Sequence, residues 1–312
     1  MAKDQQKSQK GQQVMNFTDE QALAYFEANR WPNGPACVHC GSTNVYRLQG
    51  ESTRLGLLEC RDCKKQFTVM VGTVMEDSHL PLSTWFKAFH LMASSKKGIS
   101  ALQLQRNLGL GSYRTAWHLA HRIRLAMRIE EPTEKLSGNV EVDETYIGGK
   151  PRRKHGDPKV VGRGTKKTPV VVLVERDGSA RSRPVERCDA LTLKWAIRNH
   201  VEKTSTILTD DWRSYRGIGK EFDGGHQVVN HTAGEYVNGI ANTNTAESFF
   251  ALLKRGVHGT FHHISKQHMH RYCDEFSFRW NGRKMDDTVR RDLAIAGIEG
   301  KRLMFYQPTT TA

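Results

Sequence analysis

Apolar positions along the chain change their rhythm three times. In FTDEQALAYFEANRW, Phe17, Ala22, Leu23, Tyr25 and Phe26 gather on one helical side, and Thr18 or Asp19 supplies the cap. Pro32, Gly34 and Pro35 stop that helix. Short strand-like runs, VYRLQ and RLGLLEC, follow. From 81 to 130 the period is helical: PLSTWFKAFHLMAS, then ISALQLQRNLG, a GLGS turn, and the longer YRTAWHLAHRIRLAMRI. EPTEKLSG breaks the pattern and marks a boundary. Beyond it NVEVDETYIGG, TPVVVLVERDG and SARSRPVER read as strands, followed by a helix near 189–203, STILTDD and HQVVNH. The order β-β-β-α-β-α-β-α predicts an α/β unit of about 150 residues with a mixed sheet. Met269, Tyr272, Phe276 and Trp280 form a helical stripe that would close over that sheet as core.

Charge adds a partner to this outline. Net charge is +14, from 47 Lys+Arg against 33 Asp+Glu, so a polyanion, most simply nucleic acid, is expected. No apolar run approaches the ~20 residues of a membrane helix. The opening MAKDQQKSQKGQQ is polar, which reads as a solvated tail on a cytoplasmic protein.

Cysteine spacing adds a metal. Cys37 and Cys40 form one CxxC turn, and Cys60 and Cys63 a second. Each turn aims two sulfurs at one point, and two turns complete a tetrahedral Zn²⁺ site in a ribbon too small for its own core. Such a ribbon is compatible with DNA contact through Arg47, Arg54, Lys64 and Lys65. Cys188 and Cys273 are isolated and read as buried thiols.

Helix, glycine turn and longer basic helix is also the layout of a helix-turn-helix, with Tyr113, Arg114, His118, Arg122 and Arg124 available to face DNA. A second basic feature is KPRRKHGDPKVVGRGTKK, with eight Lys/Arg against one Asp. Its Arg152, Arg153, Lys154, Arg163, Lys166 and Lys167 suit a phosphate-gripping loop.

Acids in a strand are the remaining puzzle, because an uncompensated buried carboxylate costs several kcal/mol. VEVDETYIGG carries Glu141, Asp143 and Glu144. STILTDD ends in Asp210 and Asp211. In NTNTAESFFALLKRG, Thr243 or Thr245 would cap a helix with Glu247 in its early turns; Lys254 lies only about 20° away around the axis and Asn244 about 60° to the other side. Taken singly, Asp143 is a strand-end residue, Asp210 a cap and Glu247 a first-turn acid favoured by the helix dipole. Together they could converge and hold Mg²⁺ or Mn²⁺, whose hard oxygen preference suits carboxylates. Strand alternation puts Asp143 with Glu141 and Thr145 and does not choose between Asp143 and its neighbours. The His-rich GVHGTFHHIS, continuing to His268 and His270, suits phosphate contact or polar packing better than a second zinc, and Glu275 suits pairing with an Arg.

VEVDETYIGGK, ILTDDWRSYRG, NTAESFFALLKRGVHGTFHHIS and HRYCDEFSFRWN together resemble bacterial insertion-sequence transposases with an N-terminal zinc ribbon and a ribonuclease H-like DDE domain. The likeness spans about residues 18–285. It implies an α/β, ribonuclease H-like mixed sheet flanked by helices and preceded by a zinc ribbon and a helix-turn-helix-like region. It implies Asp143, Asp210 and Glu247 as Mg²⁺-binding catalytic acids, Lys254 as a phosphate-holding partner, and Asn244 as an alternative third ligand. Arg255 joins the DNA-binding set. The implied partners are element ends and target DNA, with at least a homodimer on DNA in a bacterial, nucleoid-associated setting. The expected segments are a tail at 1–16, helix plus ribbon at 17–75, helical region at 76–131, catalytic domain at 138–285 and a tail at 286–312. A DNA-binding regulator without chemistry and a structure-specific nuclease are the rivals.

Overall fold

The computed structural model describes residues 16–129, 134–149, 165, 167–229 and 242–305. The chain divides into two compact units: residues up to 128 together with those from 285 onward, and residues 129–284. Among the described residues no helix is long and apolar enough to cross a membrane.

The first unit starts with α1 (Asp19–Arg30), opened by a reciprocal cap. Thr18 Oγ1 accepts from the Gln21 amide, and Gln21 Oε1 accepts from the Thr18 amide. The neighbouring Asp19 reaches elsewhere, and its carboxylate accepts from the Ser83 amide at 2.8 Å, in the first turn of α2 (Leu82–Ser94). β1 (Val45–Arg47), β2 (Leu58–Cys60) and β3 (Gln66–Phe67) form an antiparallel ribbon. Its core is little more than Cys37, Leu58, Cys60 and Phe67.

The helix-turn-helix layout is present as α3 (Ala101–Leu108) and α4 (Tyr113–Ala126). Gly109 ends α3 at φ 63°, a left-handed stop that glycine adopts without strain. Ser112 then caps α4 through the Arg114 amide at 3.2 Å.

Two expectations need correction here. The segment 286–312 is not simply a tail, because Asp287–Ala296 forms α8, capped by Asp286. Ala294 and Ile295 are buried, Tyr25 Oη donates to Asp292 at 2.5 Å, and the Arg291 guanidinium lies 4.6 Å from the Phe86 ring centroid. Val289 and Leu293 of this helix are exposed while Arg291, Ala294 and Ile295 are buried, so its apolar positions do not mark the face that packs. Moreover, the stretches 17–75 and 76–131 are not separate bodies. Phe17 stacks on Phe86 at 4.2 Å, and Phe26 meets Phe86 and Phe89 edge-on.

Arg122 and Arg124 are also misplaced by a DNA-facing reading, since they are only 6% and 2% exposed. The Arg122 guanidinium lies 5.3 Å from the Trp85 ring centroid and donates to the Glu76 carbonyl oxygen. Its aliphatic stem and flat cation let a formally charged residue sit in a core, a placement that residue type alone conceals. Arg122→Ala should therefore lower stability by roughly 1–3 kcal/mol and leave the salt dependence of DNA binding unchanged. Urea melts and binding isotherms at two salt concentrations check both halves.

The second unit is built on β4 (Asn139–Ile147), β5 (Thr168–Glu175), β6 (Ala180–Pro184), β7 (Thr206–Asp210) and β8 (His226–Val229). Sheet order is β6-β5-β4-β7-β8; β4, β5 and β6 are antiparallel, and β4, β7 and β8 are parallel. This is the mixed, ribonuclease H-like sheet expected. β5 is covered on both sides, so VVVLV is a continuous apolar run. Val170, Val172 and Val174 pack with α6 (Asn244–Gly256) and α7 (Met269–Asn281), including Phe249, Leu253, Tyr272 and Phe276. Val171 and Leu173 pack on the other face with Val140, Val142 and Leu193 and Ile197 of α5 (Ala190–His200). The helix expected after β7 is instead two 3₁₀ turns, Arg213–Tyr215 and Ile218–Glu221, separated by Gly217 at φ 83°.

Candidate metal and catalytic centres

The ribbon sulfurs converge. All four Sγ atoms lie within 4.8 Å of one another. Cys37–Cys63 and Cys40–Cys60 are each separated by 3.6 Å, close to the ~3.8 Å edge of a tetrahedron with 2.3 Å Zn–S bonds. Each knuckle closes with a residue in the left-handed region, Gly41 at φ 77° and Lys64 at φ 58°. Their amides donate back to the Cys37 and Cys60 carbonyls at 2.8 and 2.9 Å. The backbone amide of Cys63 and then that of Asp62 pull the Cys60 thiol down to about 7, against burial. The donor set fits Zn²⁺. Stripping the metal with a chelator, or Cys60→Ser, should unfold the ribbon, because its apolar core is too small to stand alone. Loss of amide-exchange protection confined to residues near 37–67 would show it.

In the second unit, strand parity now chooses among the acids. Glu141, Asp143, Thr145 and Ile147 share the face that packs on α6, whereas Val140, Val142 and Glu144 face the α5 side. Glu144 accepts from Tyr215 Oη at 2.8 Å. Tyr215 is fully buried, and burial followed by the Glu144 charge pushes its phenol well above the usual range.

Glu141 is fully buried and holds the start of α6. Its Oε2 accepts from the Thr245 and Ala246 amides at 2.8 and 2.9 Å, and its Oε1 from Thr245 Oγ1 at 2.9 Å and Arg176 Nε at 2.8 Å. Arg176 also donates to the Asn242 carbonyl at 3.2 Å. Thr243 occupies the N-cap position without a side-chain cap bond. The cap expected from Thr243 or Thr245 thus comes from a carboxylate on a strand, where it meets the positive end of the helix. Sequence alone does not give Glu141 this role. The signal is present, an acid among apolar residues two positions before Asp143, but nothing local links it to residue 245.

Asp143 is the acid left for the open end of this face. Glu141 pairs in register with Leu208, and the same offset two residues on brings Asp143 level with Asp210 on the adjacent parallel strand. Parallel neighbours at one level point to one side. Glu247 sits in the first turn of α6, just past the amides that Glu141 holds. Burial pushes the Asp143 carboxyl up to about 7, helped by the charges of Glu144, Asp210 and Glu247 and opposed by the Glu144 amide, which donates to Asp143 Oδ1 at 2.7 Å. The Trp212 amide donates to Asp210 Oδ1 at 3.3 Å. These carboxylates are more loosely gathered than the thiols. Among the described residues the cysteine set is the one group of three or more acid, His or Cys ligand atoms within 4.8 Å of one another. Acids that raise the proton affinity of Asp143 at one strand end suit a divalent cation with oxygen ligands.

Asn244, Glu247 and Lys254 are exposed on one strip of α6, opposite buried Phe249 and Leu253. Lys254 Nζ lies 5.8 Å from the Phe250 ring centroid, and Arg255 is exposed. Arg114 is exposed at the start of α4, with its guanidinium 5.9 Å from the Phe305 ring centroid; the half-buried His118 ring meets the same phenylalanine edge-on at 5.5 Å. Lys167 is half-buried at the entry to β5, whereas Arg152, Arg153, Lys154, Arg163 and Lys166 lie outside the described residues. After α6 a π turn, Val257–Phe261, carries His258 outward, and no His cluster of metal-binding geometry forms among the described residues. Glu275 is buried against Arg279.

Two family models match segments of the chain, one over the ribbon and one over the five-stranded sheet. Residues 135–281 match the family model of the ISXO2-like transposase domain, and residues 17–66 that of the transposase zinc-ribbon domain. The chain is 29% identical over 278 residues to an uncharacterized protein in transposable element ISH50 of Halobacterium salinarum, covering 85% of this chain and 92% of that one. Two solved structures align over 67% of this chain and 73% of theirs: the Mos1 transposase paired-end complex with left transposon end (15% identity, TM-score 0.27) and the Mos1 strand transfer complex (13%, TM-score 0.28). With a transposase zinc ribbon near its start and an ISXO2-like domain on the five-stranded sheet, the chain belongs to the insertion-sequence transposases.

Proposed function

We propose that the chain binds the terminal inverted repeats of its own element and catalyses metal-dependent cleavage and strand transfer at Asp143, Asp210 and Glu247. One observation supports this reading: the β4–β7 register brings Asp143 level with Asp210, and Glu141, on the same face of β4, bonds the α6 amides just before Glu247. Those three residues would hold Mg²⁺ or Mn²⁺, which supplies activation of the attacking oxygen and stabilisation of the leaving oxygen at phosphorus. Glu247 is the better third ligand than Asn244, because a carboxylate binds a hard cation more strongly than an amide. Lys254, seven residues further along the same helical strip, would hold a phosphate near the cut end. The ribbon and helix-turn-helix would read the repeats, and Lys167 with the basic loop before it would grip DNA without sequence preference. Because two ends must be paired, the working species on DNA would be at least a dimer.

The test uses pre-cut element ends, a supercoiled target and Mg²⁺. Joined product that disappears with EDTA is expected. Cleavage of uncut ends without joining would favour a nuclease, and DNA binding without either reaction a regulator.

A further inference from the structure

At the carboxyl ends of β4 and β7, where ligands gather on sheets of this kind, the second unit has a cavity of about 430 Å³. That is within the size range of small-ligand sites. Tyr146, next to last in β4 and on the α5 side with Glu144, and Trp212, two residues beyond Asp210, line it. Lys167, Arg187 and Lys266 bring three cations from three different segments. Two acids also line it, but Asp189 is committed to capping α5 through the Thr192 amide at 2.8 Å, and Glu186 is exposed. The cavity is tied to the acids through Trp212, whose amide is bonded to Asp210 and whose side chain packs against the α5-side core.

Aromatic rings ringed by separate cations are the chemistry that takes an unpaired base with its flanking phosphates. We propose that this cavity receives one unpaired nucleobase of the DNA strand whose phosphate lies at Asp143 and Asp210, stacked on Trp212, with Lys167, Arg187 and Lys266 around the adjoining phosphates. The proposal rests on the catalytic reading above for which strand is bound. Removing a base from the duplex costs stacking, and a ring that replaces the stack lowers that cost. The pocket would thus help open the duplex at the phosphate to be cut.

The experiment uses full-length protein carrying Asp143→Asn, in buffer without divalent cations, and a forked duplex made from the element end flanking the gene. The last three nucleotides of the strand to be cut are left unpaired, and each in turn carries 2-aminopurine. Quenching at one position is expected, with Trp212→Ala binding about 10-fold more weakly and losing the quench. Trp212→Phe, which keeps a ring and the packing, should bind within about 3-fold of the parent, and Arg187→Ala or Lys266→Ala should weaken binding without relieving the quench. Equal emission with Trp212 and Trp212→Ala at all three positions, or a quench that survives Trp212→Ala, would overturn the proposal. The two readings fail separately. Protein with Asp143 intact that cleaves and joins ends but shows no Trp212-dependent quench loses only the pocket. Protein that quenches through Trp212 but neither cleaves nor joins loses only the catalytic assignment.

Discussion

Asp143→Asn is expected to abolish end cleavage and joining, by about 10³-fold or more, while raising the melting temperature of the metal-free protein at pH 8. Losing an anionic ligand removes the cation's several-kcal/mol stabilisation of charge at phosphorus. The opposite sign for stability follows from the same geometry. In the unfolded chain Asp143 titrates as an ordinary carboxyl, near 3.9. In the fold, burial and the acids beside it push it up to about 7. A raised carboxyl pKa means the folded state binds the proton more tightly than the unfolded one. Stability therefore falls as pH rises from about 4 to about 7, and the full cost, on the order of a few kcal/mol, remains above that. Asparagine removes the charge and with it that cost. The difference in melting temperature between variant and parent should be clear at pH 8 and shrink towards pH 4. Adding Mg²⁺ at pH 8 should stabilise the parent and leave the variant nearly unmoved. A variant that cuts DNA at the parent's rate would sink the assignment of Asp143.

Glu141→Ala is expected to destabilise the protein by about 3–5 kcal/mol, as breaking a buried ion pair does when one partner stays behind. Arg176 would lose the carboxylate it meets at 2.8 Å, and the Thr245 and Ala246 amides would lose their acceptor. The loss reaches the site because Glu247 follows Ala246 directly, so a frayed α6 start displaces the third acid. Glu141→Gln should fall between parent and alanine: its amide oxygen can accept from the helix amides, but its NH₂ faces donors. Urea denaturation gives the stability change, and cleavage measured well below the melting range gives the effect on Glu247. A melting temperature for Glu141→Ala within about 2 °C of the parent would show that Glu141 does not anchor α6.

The zinc ribbon was legible because four thiols at CxxC spacing have few other uses, and the strands because β5 is apolar on both faces. The acid cluster was only half legible. Asp143, Glu141 and Glu144 look alike in VEVDET, and the distinction lies in what each meets: the Thr245 and Ala246 amides, Tyr215, or Asp210 on the next strand. Those partners are about 70 to 105 residues distant in the chain, where spacing patterns carry no information. Arg122 misled for the converse reason. Its charge suggested solvent and DNA, but Trp85 and the Glu76 carbonyl provide a place for guanidinium inside the first unit. α8 reads as tail for a related reason: it packs through Arg291 over Phe86 and Tyr25, while its aliphatic Val289 and Leu293 stay exposed.

The position of α8 has a consequence for biosynthesis. The first unit is discontinuous, so α8 leaves the ribosome only after every strand of the five-stranded sheet has emerged. The inner unit has all its residues in hand while the outer one still lacks a wall. A nascent or prematurely terminated polypeptide would then carry a finished acid-bearing sheet on an incomplete zinc-containing half, and a stop codon before Asp287 would leave that half without the helix that meets Tyr25 and Phe86.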